Sequence, residues 1–300
     1  MTRFPPKRIC NPAMIMLDRL RDYLGLVRFA HTVFALPFAL MSALVAARGW
    51  PALSVTGWIL FCMVTARTSA MTFNRIVDRH LDRLNPRTRQ RHLPAGRVSL
   101  AEAVGLWIVS SGLFVWGAWQ LNPLAFALSP LALFIICGYS YSKRFTALSH
   151  LILGLSLGIA PVGAWIAVTG TLEWLPVLLA AGVMAWVAGF DVIYALMDEE
   201  FDRRVGLRSL VVSLGRIHAL RAAFALHAGS VMGIGLFGWW ADLGWIYGLG
   251  MAGFAVLILY EHSLVSPDDI SRVNIAFFNV NGIISIGLFA CTLLDIFLAG

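Results

Sequence analysis

Charge is what this chain has least of. Only 13% of its 300 residues are Asp, Glu, Lys or Arg, against about 25% in ordinary soluble domains. Lysine occurs twice, as Lys7 and Lys143. That scarcity, with 59% apolar residues and a mean hydropathy of +0.78, excludes a typical soluble domain. Cysteine is equally sparse. Cys10, Cys62, Cys137 and Cys291 are scattered, and their spacing excludes a disulfide framework or a zinc site. There is no Ser/Gly-rich linker or low-complexity stretch, so residues 1–300 read as one domain, with 1–24 as its N-terminal segment. Arg3, Lys7 and Arg8 lead into no short apolar run with a small-residue cleavage site, so no removable signal peptide is expected. Met14–Tyr23 reads as an interfacial helix.

What the chain does have is apolar runs of about 20 residues, the length that crosses a bilayer as helix. Nine spans are expected, at 25–47, 52–74, 101–119, 124–142, 150–169, 174–196, 217–240, 242–261 and 273–298. The fold class is therefore all-α, a polytopic membrane bundle. The net charge of +7 is not a nucleic-acid footprint, because its distribution follows topology. Connections near 48–51, 120–123, 170–173 and 241 hold a single basic residue, Arg48, while the N-terminus and the alternate connections hold nearly all the others. This asymmetry puts the N-terminus and the basic loops in the cytoplasm.

Acidic residues number 16, and seven of them sit in two short segments. The first, Asn74 to Asp82, reads N-R-I-V-D-R-H-L-D. The second, Asp191 to Asp202, reads D-V-I-Y-A-L-M-D-E-E-F-D. On a helix, Arg67, Met71, Asn74, Asp78 and Asp82 form one stripe, and Asp191, Asp198 and Asp202 form another with Tyr194 beside it. Two carboxylates about 6 Å apart repel by roughly 3 kcal/mol at an effective dielectric near 20. A chain that builds this twice needs cations. Pairing with Arg75, Arg79, Arg83, Arg203 or Arg204 is one source. A metal is the other: oxygen donors without His or Cys favour Mg²⁺ or Ca²⁺, and Mg²⁺ in particular shares few carboxylates with ligand phosphate oxygens.

A phosphorylated ligand also needs cationic donors. Lys143 lies one helical turn after Tyr139, Arg208 follows the second motif, and Arg87, Arg89, Arg91 and Arg97 follow the first. An apolar interior behind such a mouth suits a lipid tail, and aromatic faces there would stabilise an allylic cation.

The motifs in this order resemble the UbiA superfamily of intramembrane aromatic prenyltransferases. They are N-x-x-x-D-x-x-x-D from Asn74, N-P-R-T-R-Q-R-H-L-P-A-G from Asn85 to Gly96, Y-S-Y-S-K from Tyr139 to Lys143, and the Asp191 to Ser209 stretch ending in G-L-R-S. Residues 28–38, R-F-A-H-T-V-F-A-L-P-F, resemble the first span of the subgroup acting on 4-hydroxybenzoate or, in menaquinone synthesis, on hydroxynaphthoates. The resemblance implies a helical bundle around a central cavity open to the cytoplasm and to lipid, in a bacterial inner membrane. It implies Mg²⁺, a polyprenyl diphosphate and an aromatic acid acceptor, with no nucleic acid. Asn74, Asp78, Asp82, Asp198 and Asp202 would hold metal, and those Asp residues with Asp191 would be catalytic. Lys143, Tyr139, Tyr194, Arg208, Asn74 and Arg67 would bind substrates, Arg67 toward the acceptor carboxylate. One departure stands out. Many members have an acidic residue directly after the Asn, where this chain has Arg75.

Two other classes compete. A cation-coupled transporter would place charged groups near the bilayer midplane, whereas these cluster at one face. A CDP-alcohol phosphotransferase would carry its Asp pattern around a D-G and A-R stretch that is missing.

Overall fold

The computed structural model describes residues 34–298, with Asp22, Tyr23, Gly25 and Leu26. The Met14–Tyr23 helix, the resemblance over 28–33, Cys10 and the start of the first expected span fall largely outside these residues. From residue 34 onward the chain forms ten α-helices: α1 (Leu36–Ala47), α2 (Leu53–Leu84), α3 (Leu100–Leu121), α4 (Pro123–Ser142), α5 (Ser149–Thr169), α6 (Trp174–Ala195), α7 (Glu199–Val205), α8 (Leu210–Trp240), α9 (Trp245–Ser263) and α10 (Asn281–Leu298). A 3₁₀ turn, Leu196–Asp198, joins α6 to α7, and a π-helical turn, Ile275–Val280, leads into α10. No strand occurs among the described residues.

Among the described residues, eight helical stretches are long and apolar enough to cross a bilayer. These are α2, α3, α4, α5, the α6–α7 stretch, α8, α9 and the stretch ending in α10. The chain is thus a polytopic membrane protein. The remaining expected span, the first at 25–47, corresponds to α1, which at 12 residues covers about 18 Å and begins beside residues that are not described. The first acidic motif lies on α2 itself, which runs ten residues beyond the expected end at 74.

Local signals set the helix ends. Ser99 and Glu102 form a reciprocal capping box that starts α3. Asn122 caps α4 ahead of Pro123 at its first turn. Packing is closest where side chains are smallest. A Cβ on Gly154 would lie 2.3 Å from the Met184 carbonyl oxygen, and one on Gly158 would lie 2.7 Å from that of Ala180. This G-x-x-x-G face lets α5 and α6 touch backbone to backbone. α6 also packs along α8, while α1 joins α5 on one side and α10 on the other. The core centres on Trp186, Phe190, Phe34, Phe38 and Phe237, all buried.

A candidate active site at the basic end of the bundle

A cavity of about 280 Å³ opens among α2, α4, α5, α6, α7 and the loop after α2. Lining it are Arg67, Asn74, Asp78 and Asp82 from α2, Tyr139 and Lys143 from α4 and its end, Asp191 and Tyr194 from α6, and Asp198, Asp202 and Arg208 beyond; of the candidate donors after the first motif, Arg87 and Arg91 line it and Arg89 and Arg97 do not. The stripe on α2 arises as the 3.6-residue period requires, because that helix is unbroken from 53 to 84.

The second motif reaches the same cavity by another route. α6 ends at Ala195, the chain tightens through Leu196–Asp198, and α7 begins at Glu199. Asp191, Asp198 and Asp202 therefore do not share one regular helical face. The break has a physical reason: Glu199, Glu200 and Asp202 fall in the first turn of α7, where the positive end of a helix dipole favours them. Gly206, in the left-handed region at φ 75°, then turns the chain so that Arg208 bonds back. Its N–H donates to the Lys143 carbonyl at 2.7 Å, and its guanidinium donates to the Phe145 carbonyl at 2.8 Å.

Asp78, Asp82 and Asp198 are paired, but not with the nearby arginines. Asp78 is 2.5 Å from Lys143 Nζ and 3.2 Å from Arg144. Asp82 is 2.7 Å from Arg91. Asp198 takes a two-pronged contact from Arg87 and a 3.0 Å bond from Asn85. Arg79 instead donates to the Ile76 carbonyl, and Arg203 and Arg204 pair with Glu199 and Glu200. The countercharges come mostly from the basic loop after α2 and the end of α4.

Arg87 also donates to the Tyr194 hydroxyl at 2.7 Å, with its guanidinium 5.1 Å from the ring centroid. Desolvation opposes its charge, but Asp198 and Tyr194 outweigh it and hold its pKa above the ordinary value. Asn74 turns its amide nitrogen toward Asp78 at 3.2 Å, while its oxygen accepts from Arg75 at 3.2 Å. The departure noted in the sequence thus occupies the one Asn74 atom able to ligate a metal. His150, which sequence reading passed over, sits 2.6 Å from Asp191 and accepts from the Leu210 N–H at 3.4 Å.

The donor set fits a hard divalent cation. One carboxylate oxygen of Asp82 is buried without a hydrogen-bond partner, and the Asp202 carboxylate makes no hydrogen bond among the described residues. Around Asp202 stand Asp198, Lys143, Arg87 and His150. No three of the His, Cys, Asp and Glu residues described converge as a closed metal site. An ion here would need oxygens from a ligand, which is how Mg²⁺ is commonly held.

A second, apolar chamber of about 390 Å³ abuts the first, sharing Arg67, Tyr139, Leu153 and Leu157 in its wall. Its other walls are mainly aliphatic side chains such as Ile59, Leu128, Ala132, Ala160 and Ala164. From Tyr139 to Ala125 on α4 it descends 14 residues, about 21 Å of helix.

The profile of the UbiA prenyltransferase family matches residues 35–283, most of the chain. The chain belongs to that family. It is a prenyl-transfer enzyme, as the motifs and the paired chambers led us to expect. Two relatives named 4-hydroxybenzoate octaprenyltransferase, from Shewanella woodyi and Shewanella sediminis, are 32% and 33% identical over 273 residues, covering 89% of this chain and 94% of each relative. The apo structure of a UbiA homolog from Aeropyrum pernix superposes with a TM-score of 0.80 at 35% identity, covering 88% of this chain and 98% of that one. A UbiA homolog from Archaeoglobus fulgidus, bound to DMAPP and Mg²⁺, shares the fold at a TM-score of 0.74 and 22% identity, covering 92% and 99%.

Proposed function

We propose that this single-domain UbiA-family enzyme transfers a polyprenyl chain from its diphosphate to a ring carbon of 4-hydroxybenzoate, with Mg²⁺ as cofactor, in ubiquinone synthesis. The observation that carries the reading is the junction of a charged cavity with an apolar chamber at Arg67 and Tyr139. A prenyl diphosphate has that same division, and the relatives' names supply the acceptor.

In this reading Asp78, Asp82, Asp198 and Asp202, with Asn74 once Arg75 releases it, would hold Mg²⁺. The bound ion would neutralise diphosphate charge and so favour its departure. Lys143, Arg144, Arg87 and Arg91, released from their Asp partners, turn to the diphosphate oxygens. They stabilise the charge that grows as the allylic C–O bond breaks, each charge-assisted contact being stronger than a neutral one. Tyr139 and Tyr194 present aromatic faces to the allylic cation. The apolar chamber takes the tail and keeps water from that cation. Arg67 holds the acceptor carboxylate, which presents the ring carbon ortho to the hydroxyl. Asp191, oriented by His150, takes the proton lost from that carbon. We place the site and the basic loops at the cytoplasmic face of a bacterial inner membrane, on the basic-residue asymmetry.

The test is product formation. Membranes containing the protein, given Mg²⁺, a polyprenyl diphosphate and 4-hydroxybenzoate, should yield the prenylated acid. Dihydroxynaphthoates assayed in parallel should yield little. Preferential product from a naphthoate would move the enzyme to menaquinone synthesis, and no prenylated product from any acceptor would overturn the reading.

A further inference from the structure

Glu261 lies on the buried stripe of α9 with Tyr247, Phe254 and Ile258, at 0% exposure, where the pattern calls for an aliphatic side chain. A carboxyl inside a membrane helix is costly, and such residues carry a function and a partner more often than not. The partner is Asn281, also at 0% exposure, the first residue of α10. Its amide nitrogen donates to Glu261 Oε1 at 3.1 Å and to the carbonyls of Ala276 and Phe277 at 3.1 and 3.3 Å. Those two carbonyls belong to the π-helical turn, a wider coil than an α-helix and one found often at functional sites.

The turn carries Phe277 into the wall of the charged cavity. There the Phe277 ring lies 4.2 Å, centroid to centroid, from Tyr194, and 5.2 Å from Phe190. Tyr194 in turn receives Arg87, which grips Asp198. We propose that Glu261 is a positioning residue of the prenyl-transfer site. Through Asn281 it fixes the π-helical turn, and the turn holds Phe277 against Tyr194 on the diphosphate side of the cavity. Glu261 touches no substrate. Its acceptor oxygen selects the Asn281 rotamer whose nitrogen faces the turn, because the opposite rotamer would set oxygen against oxygen. One Glu261 oxygen and the Asn281 oxygen remain buried without hydrogen-bond partners among the described residues. A carboxyl and an amide were therefore kept here at a cost that apolar packing would have avoided.

This inference rests on the proposed reaction, and wild-type turnover is the control that separates the two. Glu261→Gln keeps the acceptor toward Asn281 and should stay within about twofold of wild type, whereas Glu261→Leu should lower kcat/KM for the prenyl diphosphate about tenfold. The KM for the aromatic acid should be unchanged in both. Phe277→Leu, which leaves the buried polar pair intact, should reproduce the diphosphate-specific loss. Combined with Glu261→Leu it should add little, as coupled residues do. Hydrogen exchange over residues 275–280 should rise in Glu261→Leu and remain slow in Glu261→Gln. Equal losses toward both substrates, additive effects, or an unaltered Phe277→Leu enzyme would each overturn the proposal, the last even if Glu261→Leu fails to fold. Absence of wild-type turnover would count against the reaction, while the exchange measurement would still judge the turn.

Discussion

The carboxylates at the two ends of this bundle are neutralised in opposite ways. At the basic end, Asp78, Asp82 and Asp198 face Lys143, Arg144, Arg91 and Arg87, long side chains that can swing away. Asp295 lies 18 residues beyond Phe277, about 27 Å of helix away. It is 3% exposed and accepts from three backbone N–H groups, those of Gly244, Ile246 and Tyr247, at 2.6, 3.1 and 3.1 Å. These are the orphan donors at the start of α9, so Asp295 caps that helix from the neighbouring α10. Backbone donors cannot leave, and Asp295 is structural. Side-chain cations can swing away, and in the proposed reaction they would give place to a metal and then hold the phosphate it brings. In the proposed reaction, exchangeable countercharge separates a binding carboxylate from a structural one more clearly than burial does, since Asp78 and Asp295 are about equally hidden.

Substitutions at five positions sharpen that contrast. Asp78→Ala or Asp198→Ala should cost about a thousandfold in prenyl transfer, with less loss of stability than any change at Asp295. Turnover assays and melting curves in detergent would decide. Arg87→Ala should raise the KM for prenyl diphosphate by about tenfold to a hundredfold, and Arg87→Lys should recover only part of it, because a single ammonium lacks the guanidinium fork. Asp295→Ala should reverse the pattern. It should cost about 1–3 kcal/mol of stability by unpairing the donors of α9 while leaving turnover per folded molecule intact, as read by denaturation and activity on the same sample. The smallest effect is expected in the apolar chamber. Ala164→Phe should fill space beside Ala160 and Leu128 and shift donor preference toward shorter prenyl chains several-fold in a competition assay.

How much of this the sequence disclosed follows from the range of its signals. The α2 stripe was legible because one unbroken helix converts spacing into direction. The second motif was legible in composition but not in geometry, since the same acidic residues that mark the site also start a new helix at Glu199. Pairings across the chain left no local trace. Arg87 meets Asp198 from 111 residues away, and Arg144 meets Asp78 from 66. His150 reads as an ordinary residue at a helix start until the fold sets it beside Asp191. Phe277 could not be chosen among nineteen phenylalanines, because what distinguishes it is a π-helical turn held by side chains of two different helices. The signals that could have raised suspicion were Glu261, closing one apolar run, and Asn281, inside the next.

The exchange of countercharges is the central claim, and Mg²⁺-linked binding of a prenyl diphosphate tests it most directly. Calorimetry on the purified protein should show tight binding with Mg²⁺ present and its loss on adding EDTA. The same binding should be abolished in Asp198→Asn and retained in Asp295→Asn. Binding that persists undiminished in EDTA, or that survives in Asp198→Asn, would contradict the account.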